Sequence, residues 1–109
     1  MCRYQTLYLN EQTGYAIRCE ACENIQVAFG NLVMTFEKAD FEVFHGWVKK
    51  IRLDEQMPES RTVRSIMIPS PCQGIQFLLS FSELNDFGEL LEAADTELKS
   101  LELLNLFVE

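Results

Sequence analysis

The sequence predicts an α+β fold: an antiparallel sheet of five to six strands with two helices packed on one face. Three observations carry that expectation. Residues 4–36 alternate apolar and polar side chains and break at turn residues, as half-buried strands do. Residues 37–53 and 82–107 shift to the helical period, with apolar positions three and four apart. A faint internal echo, in which Cys22-Glu23-Asn24-Ile25-Gln26-Val27 resembles Cys72-Gln73-Gly74-Ile75-Gln76-Phe77, suggests two strand–strand–helix repeats on one sheet.

The elements follow in order. Tyr4–Leu9 reads as a strand, and Asn10-Glu11-Gln12-Thr13-Gly14 supplies a turn in which Gly14 can take a positive φ. In the next strand Tyr15, Ile17 and Cys19 form the apolar set and Ala16 and Arg18 the opposite one. Ile25, Val27 and Phe29 share a face, as do Leu32, Met34 and Phe36, with the parity switching at Gly30-Asn31. A two-residue hairpin turn explains the switch, and a bulge in one long strand is the alternative.

From Glu37 to Leu53 the residues Phe41, Phe44, Val48 and Ile51 form a helical stripe, widened by Val43 and Trp47. Gly46 costs roughly 1 kcal/mol against Ala in mid-helix, so it is expected where the helix packs closely on the sheet. After a polar connection holding Pro58, strands are expected at Thr62–Ile68 and Ile75–Leu79. Ser80-Phe81-Ser82-Glu83 has capping-box spacing and opens the last helix. Leu84, Phe87, Leu91, Ala94, Leu98 and Leu101 make its main face, with Leu90, Leu104 and Val108 beside it. Running to about Phe107, it would be roughly 39 Å long, more than a small sheet covers.

Size and composition narrow the function. The 109 residues form one domain, 1–109, with a core that needs no disulfide. No window is long and apolar enough for a membrane span, and the N-terminus has no signal-peptide run, so a cytoplasmic protein is expected. There, four cysteines read as thiols or metal ligands. The net charge is −8, of which residues 83–109 carry −7. So acidic a helix repels phosphate backbones and argues against nucleic-acid binding. The basic residues Lys49, Lys50, Arg52, Arg61 and Arg64 read as solvated charges around a loop.

Chemistry concentrates in Cys19-Glu20-Ala21-Cys22. Two residues between the sulfurs let a tight turn aim both at one ion. If the first two strands pair about the Gly14 turn, position 2 falls opposite position 20 or close to it, which folds Cys2 onto the same turn. Zinc held by Cys2, Cys19 and Cys22, with Cys72 or His45 as fourth ligand, is the sharp reading, because thiolates bind it in a closed tetrahedron. The plain reading is a set of reduced cysteines acting as small hydrophobes. His45 by default is solvated or capping. A dithiol enzyme using Cys19 and Cys22 is the alternative from another class. Its motif precedes a strand rather than a helix and is flanked by Glu20 and Glu23, and both disfavour a thiolate nucleophile.

Cys2, Gly14-Tyr15, Cys19-x-x-Cys22 and Phe29-Gly30-Asn31 resemble a family of short bacterial proteins of unknown function with an N-terminal Cys…Cys-x-x-Cys cluster. The resemblance implies a small α+β protein with a cysteine cluster and assigns no reaction. The functional expectation is therefore a small cytosolic binding or structural protein with a structural zinc site. The apolar end of the last helix, Leu101 to Val108, adds the expectation of a homodimer formed through it, a fold-back onto its own sheet being the alternative.

Overall fold

The structure is a computed structural model that describes residues 3–56 and 58–108. Eight elements follow one another: β1 (Tyr4–Asn10), β2 (Gly14–Cys19), β3 (Ile25–Phe29), β4 (Leu32–Phe36), α1 (Lys38–Asp54), β5 (Ile66–Pro69), β6 (Gln76–Leu79) and α2 (Phe81–Val108). Strands β1 to β4 form an antiparallel meander in sequence order, and β5 pairs with β6 in a separate two-stranded sheet. Helix α2 lies across β1 and β2, while α1 packs beside it and against β4.

The hairpin reading of Gly30-Asn31 holds. Phe29 faces Leu32, Val27 faces Met34 and Ile25 faces Phe36. Gly30 stands at φ +60°, as the first position of a tight hairpin turn demands. Gly14 is required for a second reason besides its φ of +151°. A Cβ there would lie 1.9 Å from the Ala28 carbonyl oxygen, so the start of β2 can approach β3 only without a side chain.

The two faces of β2 are the reverse of the sequence expectation. Ala16 pairs with Val27 and Arg18 with Ile25, and residues directly opposite share a face. Ala16 and Arg18 therefore point toward the helices and are buried, while Tyr15 and Ile17 lie on the outer face and are half-buried. A register shift between Thr6 and Tyr8 marks a bulge in β1, and Leu7 beside it joins the core.

The five- or six-stranded single sheet is not what forms. Strands β5 and β6 have four residues each, because Thr62–Ser65 stays irregular, and Pro69 cannot extend the ladder. Their inner residues Ile66, Ile68, Phe77 and Leu79 still enter the common core. What joins them to it is aromatic packing: the Phe44 ring lies 6.2 Å from Phe77, 5.8 Å from Phe87 and 5.2 Å from Phe36. The echo between the two halves therefore breaks down. The Cys22 turn leads into β3 and then β4, whereas the Cys72 turn leads into β6 and straight to α2.

In α1 the buried residues are Phe41, Phe44, His45 and Val48. Val43 and Trp47 remain exposed, so the stripe is narrower than the sequence suggests. Gly46 does not mediate close packing either, since a Cβ there would meet nothing within 4 Å. The glycine at a tight contact is Gly88 in α2, where the Arg52 side chain of α1 lies over the backbone. Helix α2 buries Leu84, Phe87, Leu90, Leu91, Ala94 and Leu98. The capping box forms at its start. Glu83 N–H donates to Ser80 Oγ at 3.1 Å and Ser80 N–H donates to Glu83 Oε1 at 2.9 Å. Its end runs unbroken to Val108, which excludes a fold-back of the last turn.

Gly46→Ala should raise unfolding stability by about 0.5–1 kcal/mol, because it adds helix propensity in open space. Gly14→Ala should destabilise strongly, and chemical denaturation measures both. A pH dependence follows from the capping box. The Arg64 guanidinium, donating twice to Glu83 at 2.9 Å, holds the Glu83 carboxyl at about 2 against an ordinary 4.5. A depressed folded-state value means that this contribution is complete above pH 4.5 and is lost as pH falls toward about 2. Glu83→Gln should therefore show a flatter loss of melting temperature across that range than the unaltered protein.

Candidate functional site

Strand β2 ends at Cys19 and the chain turns back through Asn24 into β3. Two backbone hydrogen bonds close the turn: Cys19 N–H donates to Asn24 O at 2.9 Å, and Glu23 N–H donates to Cys19 O at 2.8 Å. Glu23 adopts φ +64°, a left-handed conformation uncommon outside glycine. The Cys22 N–H points at Cys19 Sγ, 3.5 Å away. Cys19 is buried and Cys22 is exposed, so the turn offers one inner and one outer sulfur.

The strand beside it runs in the register that the cysteine argument needs. Tyr4 pairs with Cys19, and Glu20 N–H donates to Arg3 O at 2.7 Å. Cys2 itself lies outside the described residues. Cys72 sits exposed in the β5–β6 turn. Among the described residues no group of three or more His, Cys, Asp and Glu side chains is placed to hold a metal ion. Cys72 and His45 are thus not gathered with Cys19 and Cys22 there.

His45 is neither solvated nor capping. It is 9% exposed, in the seam between α1 and α2. Its Nε2 lies 2.8 Å from Glu92 Oε2, and its Nδ1 lies 3.9 Å from Asp95 Oδ2. Asp95 is buried as well and accepts a hydrogen bond from Lys99 Nζ at 2.8 Å, which raises the lysine's pKa. The sequence carried a signal for this arrangement that was not used. Glu92, Asp95 and Lys99 stand three and four apart, which lines them along one flank of α2. The basic residues read as solvated also have partners there. Arg52 Nε donates to Asn85 Oδ1 at 3.2 Å, and the Arg61 guanidinium stacks 5.1 Å above the Phe81 ring.

Chemically, the cysteine turn sets one buried and one exposed cysteine around an N–H directed at the first sulfur, and the His45 seam is a part-buried hydrogen-bonded network of His45, Glu92, Asp95 and Lys99. No helix among the described residues is long and apolar enough to cross a membrane. No curated protein and no solved structure matches the chain. Over residues 1–107 it matches DUF6686, a family of unknown function, and the chain belongs to that family.

Proposed function

We propose that the protein is a small cytoplasmic binding or structural protein whose N-terminal strand is pinned by zinc held by Cys2, Cys19 and Cys22. The observation that carries this reading is the turn geometry: an N–H aimed at the first sulfur, followed by a left-handed residue after the second cysteine. A sulfur bearing negative charge accepts such a bond best, and the two-residue spacing suits a tight turn that presents two sulfurs to one ion. The role is structural rather than catalytic on this reading. β1 is an edge strand that begins at Tyr4, and chain ends fray unless they are tied down. A metal joining position 2 to the β2–β3 turn would tie this one.

The reading includes self-association. Helix α2 spans about 42 Å at 1.5 Å per residue, and its far end leaves Leu103, Leu104 and Leu106 57%, 59% and 73% exposed. A second copy offering the same leucines covers them by two-fold symmetry. The acid nearest to that patch, Glu102, is paired with Lys38 within the chain, which lowers the charge a partner would meet.

Metal analysis of untagged protein should find about one zinc per chain. Zinc should be lost in Cys19→Ser and Cys22→Ser and kept in Cys72→Ser and His45→Ala. Metal-free protein in which Cys19 and Cys22 cycle as a dithiol would instead establish the redox alternative. Sedimentation should show a dimer that Leu104→Glu and Leu106→Glu convert to a monomer without loss of helix signal. A monomer at high micromolar concentration for the unaltered protein would overturn the association.

A further inference from the structure

The reversed parity of β2 places an arginine where the core should be apolar. Arg18 is 8% exposed, and its Nε is buried with no hydrogen-bond partner among the described residues. A guanidinium does not shed its proton, so a buried one needs an acceptor and a counter-charge. Arg18 borders a cavity of about 140 Å³, also lined by Glu23, Lys38, Leu98, Glu102 and Asn105. Glu102 is already taken by Lys38, and that bond is the main cause of the lysine's raised pKa. Glu23 is exposed and forms no ion pair with Arg18 among the described residues.

We infer that this cavity binds a small tetrahedral oxyanion of the phosphate or sulfate type, with Arg18 as its principal ligand. The volume corresponds to four or five waters at about 30 Å³ each, which suits a ligand of five heavy atoms. Water alone hydrates the guanidinium, and of the two carboxylates on the cavity Glu102 is paired with Lys38 and the exposed Glu23 forms no ion pair with Arg18 among the described residues. An oxyanion supplies both the acceptor and the charge, and Arg18 can hold it through two parallel N–H donors. Lys38 and the Asn105 amide stand on the same cavity as further donors. Glu23 is the opposing element, because its carboxylate faces the same space and repels an anion. The site adjoins the cysteine turn, since Arg18 directly precedes Cys19 and Glu23 directly follows Cys22. It stands independently of the zinc reading, because no cysteine lines the cavity among the described residues.

The test is calorimetric titration of the full-length protein with inorganic phosphate and with sulfate, in chloride buffer at constant ionic strength. Saturable binding at one site per chain is expected for at least one of the two. Arg18→Met should weaken it at least tenfold, and Glu23→Gln should tighten it. In anion-free chloride buffer Arg18→Met should melt no lower than the unaltered protein, because it removes a buried charge that forms no ion pair among the described residues. That melting curve also establishes that the variant folds; should it not fold, Lys38→Gln with a several-fold loss of affinity takes its place. Zinc content measured on the same samples keeps the two proposals separate. Absence of saturable binding by both anions, or affinity unchanged in Arg18→Met, would overturn the inference. So would Glu23→Gln weakening the binding, which would make Glu23 a structural partner of Arg18 and not an obstacle to an anion.

Discussion

The rest of the structure depends on the burial of one face of α2. Leu84, Leu90, Leu91, Ala94 and Leu98 are almost fully enclosed, and Phe87 stacks 4.6 Å from Phe29 of the sheet. Every other layer meets that face: β1 and β2 beneath it, α1 alongside, and β6 near its start. Burying a leucine or phenylalanine side chain contributes about 1.5–3 kcal/mol, so this row outweighs any single polar contact in the molecule. The two short strands β5 and β6 could not stand alone in water, and they exist because α1 and α2 cover their inner side.

The acidity of α2, which looked like a partner-selecting charge, is largely matched within the chain. Arg64 meets Glu83, Arg52 approaches Glu89 at 3.9 Å, His45 meets Glu92, Lys99 meets Asp95 and Lys38 meets Glu102. These contacts recur along the helix from its first turn to its sixth. Most are at least partly exposed and add little stability each. Their common effect is orientation, since they fix which flank of α2 faces α1 and the loop before β5. Arg52 and Arg64, which look like part of a solvated basic cluster in sequence, belong to this pattern.

What the sequence made legible was the local chemistry. The switch of parity at Gly30-Asn31, the capping box at Ser80 and Glu83, and the apolar row of α2 each depend on residues within one or two turns. All three form as read. What was not legible depends on partners far along the chain. The parity of β2 is set by β3, because Val27 and Ile25 bring Ala16 and Arg18 to the inner face. A strand reading by side-chain type puts arginine outside, and it fails at the one place where a buried charge makes the position informative. Gly46 failed likewise, since open space around a helix cannot be read from its own residues. Around the cysteines, the backbone alone was legible. The β1–β2 register brings Arg3 to Glu20, and the turn between Cys19 and Asn24 is as tight as the two-residue spacing implies.

The candidate features gather at one end of the sheet, and the chain's course explains why. Turns Asn10–Gly14 and Gly30-Asn31 close the opposite end with glycines and with polar side chains such as Asn10, whose Oδ1 accepts from the Gln12 amide. At the cysteine end β1 begins, β2 turns into β3, β4 passes into α1 through Glu37, and the last turns of α2 pass overhead. Glu37 gives α1 no side-chain cap, so that helix start leaves amides without the local partner that Ser80 and Glu83 provide at α2. Arg18 is buried at this end with its Nε lacking a hydrogen-bond partner among the described residues, and Lys38 and the cysteine turn stand beside it. The other end is closed by its own residues, Asn10 Oδ1 accepting from the Gln12 and Thr13 amides, although the Thr13 hydroxyl is buried there without a hydrogen-bond partner among the described residues. A thiolate-bound cation and an oxyanion would act on the two shortfalls of this end separately, the first by tying down the start of β1 and the second by compensating Arg18. The two act on different groups, because no cysteine lines the Arg18 cavity among the described residues.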